Sequence, residues 1–184
     1  MGALRCILMA VWALTVVGIS PATAQVERRS FKDLQYEGVT AQVLEPSCAT
    51  ASIVTVLNTQ FRANLDEGEV WANYLSTLSP EQQKIALEDG LSLADMGRVV
   101  EQLGYKAYIV RISLLDLMRV GRPAIVFMQR EGPGAYRHFL VLDELDGNRV
   151  SLRDPALGKR REHVEIFMQA WQGLAVFIGP AGSG

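Results

Sequence analysis

The chain has 184 residues, of which 49% are hydrophobic and 21% are charged, a balance typical of one folded globular domain. Its 18 Lys and Arg residues are matched by 20 Asp and Glu residues, so the basic excess expected of a nucleic-acid-binding protein is missing. The two cysteines, Cys6 and Cys48, are too few for a disulfide scaffold. The two histidines, His138 and His163, leave little material for a histidine-rich metal site, and we expect neither a metal nor any other cofactor.

The N-terminus has the pattern of a secretory signal peptide. Arg5 provides a positive charge, residues 7–19 are predominantly apolar, and Ala22-Thr23-Ala24 matches the small-residue pattern of a cleavage site. The apolar run is shorter than the roughly 20 residues needed to span a bilayer, which disfavours a membrane anchor. We therefore expect cleavage of residues 1–24, a periplasmic or secreted location, and no stable insertion into a membrane afterwards.

The first half of the mature chain is predicted to be helical. Residues 25–37 are polar without a clear period and are expected to form an exposed lead-in. Ser47 is a favourable N-cap residue, so a helix is expected to begin at Cys48. Further predicted helices cover residues 69–78, 92–103, where Ser92 and Asp95 resemble a capping box, and 114–121.

After Pro123 the pattern becomes that of strands. The apolar run 124–128 and the run 138–142 have strand length, and residues 149–153 are expected to return antiparallel to the second of them. The last predicted elements are a helix at 164–171, a strand at 174–178 and a flexible tail at 179–184. Helices followed by an antiparallel sheet predict an α+β fold, with residues 38–178 as its single domain.

Cys48 is the candidate nucleophile. It lies at the predicted N-terminus of a helix, where backbone amide groups favour the negatively charged thiolate. It is also the one cysteine left after signal cleavage, and an unpaired thiol in an exported protein suggests that the thiol is used. A small buried hydrophobe is the alternative interpretation, because most free cysteines are of that kind.

The predicted hairpin offers two partners for this thiol. If its loop is the three residues 146–148, Asp154 lies opposite Leu140, and His138 becomes its diagonal neighbour on the same face. A two-residue loop would put His138 and Asp154 on opposite faces. Separately, a core histidine and a turn-forming Asp-Pro are ordinary features. Together with Cys48 they match the nucleophile, base and orienting group of cysteine acyl transfer.

Four motifs in order resemble the papain-like peptidase family C39, the bacteriocin-processing or double-glycine peptidases. Residues 42–48 match its Q-x5-C element, residues 138–141 resemble its H-F-V-V strand, and residues 154–158 resemble its D-P-x-x-G turn. Residues 90–93 with 103–105 look like its central helix and the exit from it. The resemblance implies a papain-like fold and a cysteine endopeptidase acting on a co-exported protein or peptide.

The resemblance also implies a role for each matching residue. Cys48 would be the nucleophile, His138 the general base and then the general acid, and Asp154 the residue that orients His138. Gln42 would donate its side-chain amide to the oxyanion, beside backbone N–H groups at the start of the Cys48 helix. Cleavage would follow small residues such as Gly-Gly.

Two departures from the family pattern change these expectations. Ser47-Cys48-Ala49 stands where D-C-G is usual, so a methyl group is expected beside the cleavage site. The chain has no G-x-x-x-x-G-K-[ST] motif of a fused exporter, and so looks like a free-standing exported member. Such members resemble the periplasmic peptidase of bacterial functional-amyloid secretion operons. The alternative function is a catalytically weak adaptor that binds an extended chain without cutting it.

Overall fold

A computed structural model describes residues 29–133 and 135–182, so the predicted signal peptide at 1–24 lies outside the described residues. The elements in chain order are α1 Phe31–Gln35, α2 Cys48–Phe61, α3 Glu67–Ser76, α4 Pro80–Asp89, α5 Leu93–Gln102, β1 Tyr105–Arg111, α6 Leu114–Val120, β2 Ala124–Arg130, β3 Tyr136–Asp146, β4 Arg149–Asp154, β5 Gly158–His163, α7 Val164–Ala170 and β6 Trp171–Pro180. A short 3-10 turn, Glu45–Ser47, leads into α2. The predicted α+β fold is confirmed.

The strands form one antiparallel sheet in the order β1-β6-β2-β3-β4-β5, and apolar clusters cover both of its faces. Along β2, Ile125 belongs to the cluster shared with α2, α3 and α5, while Val126 and Met128 belong to the cluster shared with α6 and α7. Burial on both faces explains why residues 124–128 form a continuous apolar run instead of alternating with polar residues.

Helix α2 runs through the centre of the larger cluster. Its first ten residues, 48–57, are all buried, and it packs against β3, β2, α3 and α5. Small side chains at Ala49 and Ala51 let the helix approach its neighbours closely, while Ile53 and Leu57 fill the core. The start of α2 is therefore held in place by tertiary packing on all sides, which suits a residue that must be precisely positioned.

Several elements differ from the sequence-based expectations. Helix α4 is missing from the sequence-based expectations, which place no helix between the predicted helices at 69–78 and 92–103. Pro80 occupies the first turn of α4, where its missing N–H is not needed, and Ser79 and Gln82 form a capping box in front of it. The predicted tail also begins later than expected, because Gly179 and Pro180 extend β6 and pair with β1.

The predicted lead-in contains the short helix α1, and the residues at its end attach to the turn that follows β4. Ser30 and Asp33 form its capping box. After it, the side-chain amide of Gln35 donates to the carbonyl of Leu157, and the Tyr36 hydroxyl donates to the carbonyl of Ala156, both at 2.6 Å. This segment therefore holds the turn that follows β4.

The β3–β4 hairpin has a different loop from the predicted one. Asp146 pairs with Arg149 across a two-residue turn, so the expected three-residue loop is wrong. A β-bulge at Asp143 then shifts the register by one residue, and Leu142 pairs with Leu152. The bulge restores the alignment that the longer loop would have produced. Side chains at the far ends of β3 and β4 thus share one face of the sheet.

Gly90 provides a test of how α4 is held against the turn before α2. It has a φ of +78°, and a Cβ atom built there would lie 2.7 Å from the carbonyl oxygen of Pro46. We expect Gly90→Ala to lower the free energy of unfolding by about 1–3 kcal/mol, measured by chemical denaturation. Gly97→Ala is the matched control, because nothing lies within 4 Å of its added methyl group. That control should be neutral or stabilise by roughly 0.5–1 kcal/mol, and an equal loss in both variants would contradict this account.

Candidate active site

Cys48 is the first residue of α2 and is only 8% exposed. Ser47 occupies the N-cap position, as predicted. Its hydroxyl, however, hydrogen-bonds to the preceding loop, because it donates to the carbonyl of Leu44 and accepts the N–H of Leu44. The hydroxyl is thus turned towards the loop, which leaves the first amides of α2 for another partner. These amides stabilise negative charge at the start of the helix, where the Cys48 sulfur lies.

A buried hydrogen bond fixes α2 against the strand that carries His138. The hydroxyl of Ser52, one helical turn after Cys48, donates to the carbonyl of Phe139 at 3.2 Å. Ser52 is completely buried, so water does not compete for this bond. Because Phe139 is the neighbour of His138, the bond sets the distance between the nucleophile helix and the histidine.

His138 and Asp154 lie together, at the ends of β3 and β4 that the bulge aligns. His138 Nε2 is 2.8 Å from Asp154 Oδ1. An ionised carboxylate can only accept, so Nε2 carries the hydrogen and donates it. The other ring nitrogen, Nδ1, is left for the Cys48 side. The structure therefore brings the three predicted residues Cys48, His138 and Asp154 to one place.

Asp154 has more partners than the sequence suggested. Its Oδ1 also accepts the backbone N–H groups of Ala156 and Leu157, at 3.0 and 3.3 Å. Its Oδ2 accepts Nε of Arg160 on β5 at 3.0 Å. The Asp154 side chain is 2% exposed, so these bonds replace the water that burial removes.

Burial and charge act in opposite directions on the two ionisable partners. Burial, the largest influence, lowers the pKa of His138, but hydrogen bonds with Asp154 and Cys48 and the negative charges on both residues together raise it to about 9. Burial raises the pKa of Asp154, but the bonds from His138 and Ala156 and the charges of His138 and Arg160 lower it below its usual value. Together these shifts favour an imidazolium on His138 beside an ionised Asp154 at neutral pH.

Gln42 lines the same depression as Cys48 and His138. Its backbone N–H donates to the carbonyl of Pro155, which joins it to the turn that holds Asp154. Its side-chain Nε2 donates to the carbonyls of Leu44 and Glu45, at 3.1 and 3.0 Å. The Gln42 side-chain amide is therefore hydrogen-bonded within its own loop and is not free to donate towards Cys48.

The depression over Cys48 has polar walls. Its remaining lining residues come from the turn before α2, the end of α4, the start of β3 and the turn after β4: Glu45, Pro46, Leu87, Glu88, Asp89, Arg137 and Ala156.

Ala49, expected to place a methyl group beside the cleavage site, is 0% exposed and packs in the core. That expectation is wrong, because the side chain next to a helix-start residue points to a different face of the helix.

Comparison with known proteins assigns the chain to a family. The sequence model of the peptidase C39 family matches residues 37–183. This chain belongs to the C39 peptidase family. C39 members are cysteine peptidases, which agrees with a buried cysteine at a helix start beside a histidine.

Two curated C39 relatives come from Pseudomonas. The Pseudomonas aeruginosa protein described as "Probable functional amyloid protease FapD" is 34% identical over 150 residues, which are 82% of this chain and 64% of the relative. The Pseudomonas fluorescens protein of the same description is 26% identical over 149 residues, 81% of this chain and 63% of the relative. The chain thus spans a little less than two thirds of these relatives.

Solved structures of C39 peptidase domains share the fold. The peptidase domain of Streptococcus ComA, a bifunctional ABC transporter involved in quorum sensing, has a TM-score of 0.60 at 20% identity, covering 77% of this chain and 97% of that domain. A double-glycine-motif protease from an AMS/PCAT transporter, solved in complex with its leader peptide, has a TM-score of 0.58 at 20% identity, covering 77% of this chain and 90% of that one. The papain-like C39 fold is thereby confirmed.

Three residues near the C39 site were not singled out from the sequence. Ser52 could have been found, because it lies four residues after Cys48 and therefore on the same side of the helix. Arg160 could not, because β5 is a polar edge strand without apolar alternation and was not predicted. Glu67, a buried carboxyl group at the start of α3, gave no signal in the sequence either.

The described part of the chain comprises residues 29–133 and 135–182. That part of the chain has no group of three or more His, Cys, Asp and Glu residues arranged to hold a metal ion. Within the same residues, no helix is both long enough and apolar enough to cross a bilayer.

The proton on His138 gives a direct test of this electrostatic arrangement. We expect its NMR signal to titrate with a midpoint of about 9 and the midpoint to fall towards 6.5 in Cys48→Ala and in Asp154→Asn, since each variant removes a group that raises the pKa. His163→Asn assigns the second histidine signal. A wild-type midpoint at or below 6.5 would contradict the arrangement.

The same shift makes stability depend on pH. Because the folded-state pKa is raised, the imidazolium stabilises the fold fully below pH 6.5, and this contribution is lost as the pH rises through about 9. The melting temperature of the wild type should therefore fall over this range more than that of Cys48→Ala, in which the shift is smaller.

Proposed function

We propose that this chain is an exported cysteine endopeptidase that cleaves a co-exported protein or peptide and thereby supports the secretion or assembly of that partner. The observation that carries the proposal is that Cys48 and His138 line one depression and that His138 hydrogen-bonds to Asp154. A core cysteine that only fills space needs neither a histidine beside it nor a buried carboxylate behind that histidine.

The reaction would begin with transfer of the Cys48 proton to Nδ1 of His138. The raised pKa of His138, about 9, supports the resulting pair of thiolate and imidazolium near neutral pH. Asp154 accepts the bond from Nε2–H and remains ionised, which keeps Nδ1 directed at the sulfur. The thiolate then attacks the scissile carbonyl carbon, and His138 returns the proton to the leaving amine.

Negative charge on the carbonyl oxygen needs hydrogen-bond donors during that attack. The backbone N–H groups at the start of α2 would supply one part of the oxyanion hole, and the Gln42 amide would supply another. Gln42 now donates to Leu44 and Glu45, so it would have to exchange one of these bonds for the oxyanion when substrate enters. A water molecule would finally hydrolyse the thioester on Cys48 and release the second product.

The shape of the depression supports cleavage beside small residues. Cys48 is 8% exposed, so only a segment that enters the depression can bring its scissile carbonyl within roughly 3–3.5 Å of the sulfur. Pro46 and Leu87 are among the residues that line the depression, and their side chains would limit the room for a bulky residue next to the bond. Family membership points in the same direction, and we propose an extended segment containing Gly-Gly or Gly-Ala as the site of cleavage.

The partner and the location are proposed from two further observations. The Pseudomonas relatives are described as probable functional amyloid proteases, and we propose that the substrate of this chain belongs to an amyloid secretion system. The N-terminal pattern of Arg5, an apolar run and Ala22-Thr23-Ala24 supports export with loss of residues 1–24. We therefore propose that the mature protein acts in the periplasm or outside the cell.

The adaptor that binds without cutting remains as the second candidate. One observation favours it: the amide of Gln42 is already occupied by two backbone carbonyls. The burial of Ala49 weighs against it, because the methyl group that was expected to narrow the site packs into the core instead.

A cleavage profile on an unstructured peptide library separates the two candidates. We expect cuts after Gly-Gly or Gly-Ala, and loss of turnover by about 10⁴-fold or more in Cys48→Ala, because that variant lacks the nucleophile. The fold of Cys48→Ala should persist, since only one sulfur atom is removed. A preference for bulky or charged residues at the cut would contradict the proposed specificity. Tight binding without turnover, by protein whose Cys48 still reacts with a thiol reagent, would establish the adaptor.

A further inference from the structure

Glu67 is a buried acidic residue that the proposed reaction does not use. It is the first residue of α3 and is 2% exposed. The neighbouring Asp66 already caps this helix, since its side chain accepts the N–H of Glu69. Glu67 is therefore not needed as a cap, and burying a carboxyl group costs free energy unless its bonds compensate for the loss of water.

The bonds of Glu67 go to the loop that leads into the active site. This loop, residues 42–47, begins at Gln42 and ends immediately before Cys48. The backbone N–H of Val43, next to Gln42, donates to Glu67 Oε2 at 3.2 Å. The hydroxyl of Ser47, at the other end of the loop, donates to the carbonyl of Leu44 instead. The Glu67 carboxyl group therefore holds the Gln42 end of the 42–47 loop.

The bonds within the 42–47 loop do not by themselves hold it against the rest of the domain. Gln42 Nε2 bonds to Leu44 and Glu45, and the Ser47 hydroxyl bonds to Leu44, so these contacts stay inside the loop. The backbone bond from Gln42 to Pro155 anchors one end to the turn after β4. Glu67 adds an anchor on the opposite side, on a helix that packs against α2.

The surroundings of Glu67 raise its pKa. Burial is the main cause, the nearby Asp66 charge raises the pKa further, and polar contacts with Ser47 and Val43 oppose the rise. Its second oxygen, Oε1, is buried without a hydrogen-bond partner among the described residues. An ionised carboxylate would leave that oxygen unpaired, which costs more than an unpaired neutral oxygen.

We propose that Glu67 is a positioning residue of the peptidase: by holding Val43, the neighbour of Gln42, it sets where the Gln42 amide stands relative to the scissile carbonyl. This inference rests on the proposed peptidase function. Glu67 acts through the oxyanion donors and does not touch the thiol or the histidine. Its removal should therefore impair the step in which charge develops on the carbonyl oxygen and spare the reactivity of the thiolate itself.

The test compares two reactions of Cys48 in the full-length protein. Hydrolysis of a Gly-Gly peptide needs the oxyanion donors, whereas alkylation by iodoacetamide needs the thiolate alone. We expect Glu67→Ala to lower kcat by about ten- to a hundredfold, with an alkylation rate within about twofold of wild type because the thiolate is unchanged. A loss of fold or of core packing would change the rates of both reactions. A lower kcat with an unchanged alkylation rate therefore identifies a positioning role.

Two variants complete the test. Glu67→Gln keeps the shape, accepts from Val43 and carries no charge, so its kcat should stay within about threefold of wild type, since the neutral hydrogen bonds are retained. It also covers the case in which Glu67→Ala does not fold. Glu69→Ala, on the exposed side of the same helix turn, is the control and should match wild type in both reactions.

The outcomes separate this inference from the proposed function. If the wild type is active, three results would overturn the role of Glu67: full activity of Glu67→Ala, equal losses of Glu67→Ala in both reactions, or a folded but inactive Glu67→Gln. Each of these results would leave the proposed peptidase function unaffected. A wild type that cleaves no peptide while Cys48 still alkylates would instead overturn the proposed function on which the inference depends.

Discussion

The register shift at Asp143 brings His138 and Asp154 onto one face of the β3–β4 hairpin. With the two-residue turn alone, His138 on β3 and Asp154 on β4 would lie on opposite faces of the hairpin. The extra residue of the bulge reverses this, and the Asp143 side chain accepts Nε of Arg153, the residue before Asp154, at 2.5 Å. The bulge is thus stabilised by an ion pair one residue away from the orienting carboxylate.

The bulge would be of no use if the cysteine were not held at the same end of the sheet. Two buried contacts of α2 achieve this: the packing of its first ten residues in the core, and the bond from Ser52 to the carbonyl next to His138. Chain segments distant in sequence converge on the same point, since α1 holds the turn after Asp154 and Arg160 neutralises the carboxylate from β5. The site is therefore a product of the whole fold and not of one motif.

Electrostatics inside this site follow from burial balanced by partners. Asp154 is almost fully buried, and without Arg160, His138 and two backbone amides its charge would be costly. With them it remains ionised and helps to raise the pKa of His138 to about 9. Glu67 shows the opposite case nearby, a buried carboxyl group with few partners whose pKa is raised. The pKa values of these two acids thus shift in opposite directions because their hydrogen-bond partners differ.

The sequence predicted this architecture where local physical rules are strong. The helix start at Cys48 followed from the N-cap residue Ser47, and the strands at 124–128 and 138–142 followed from their apolar runs. The closeness of His138 to Asp154 was anticipated, but through a three-residue loop that does not exist. A bulge depends on tertiary pairing and leaves no clear mark in sequence. Likewise, the partners Arg160 and Glu67 are defined by burial across the fold, which a single sequence does not reveal.

The most direct measurement of the central claim is the site and rate of reaction with a Gly-Gly peptide carrying a chloromethyl ketone. If Cys48, His138 and Asp154 act as one unit, mass spectrometry should find a single adduct on Cys48. The rate should fall by about 10²-fold or more in His138→Ala, because the base that generates the thiolate is lost. An adduct on another residue, or an unchanged rate in His138→Ala, would contradict the account.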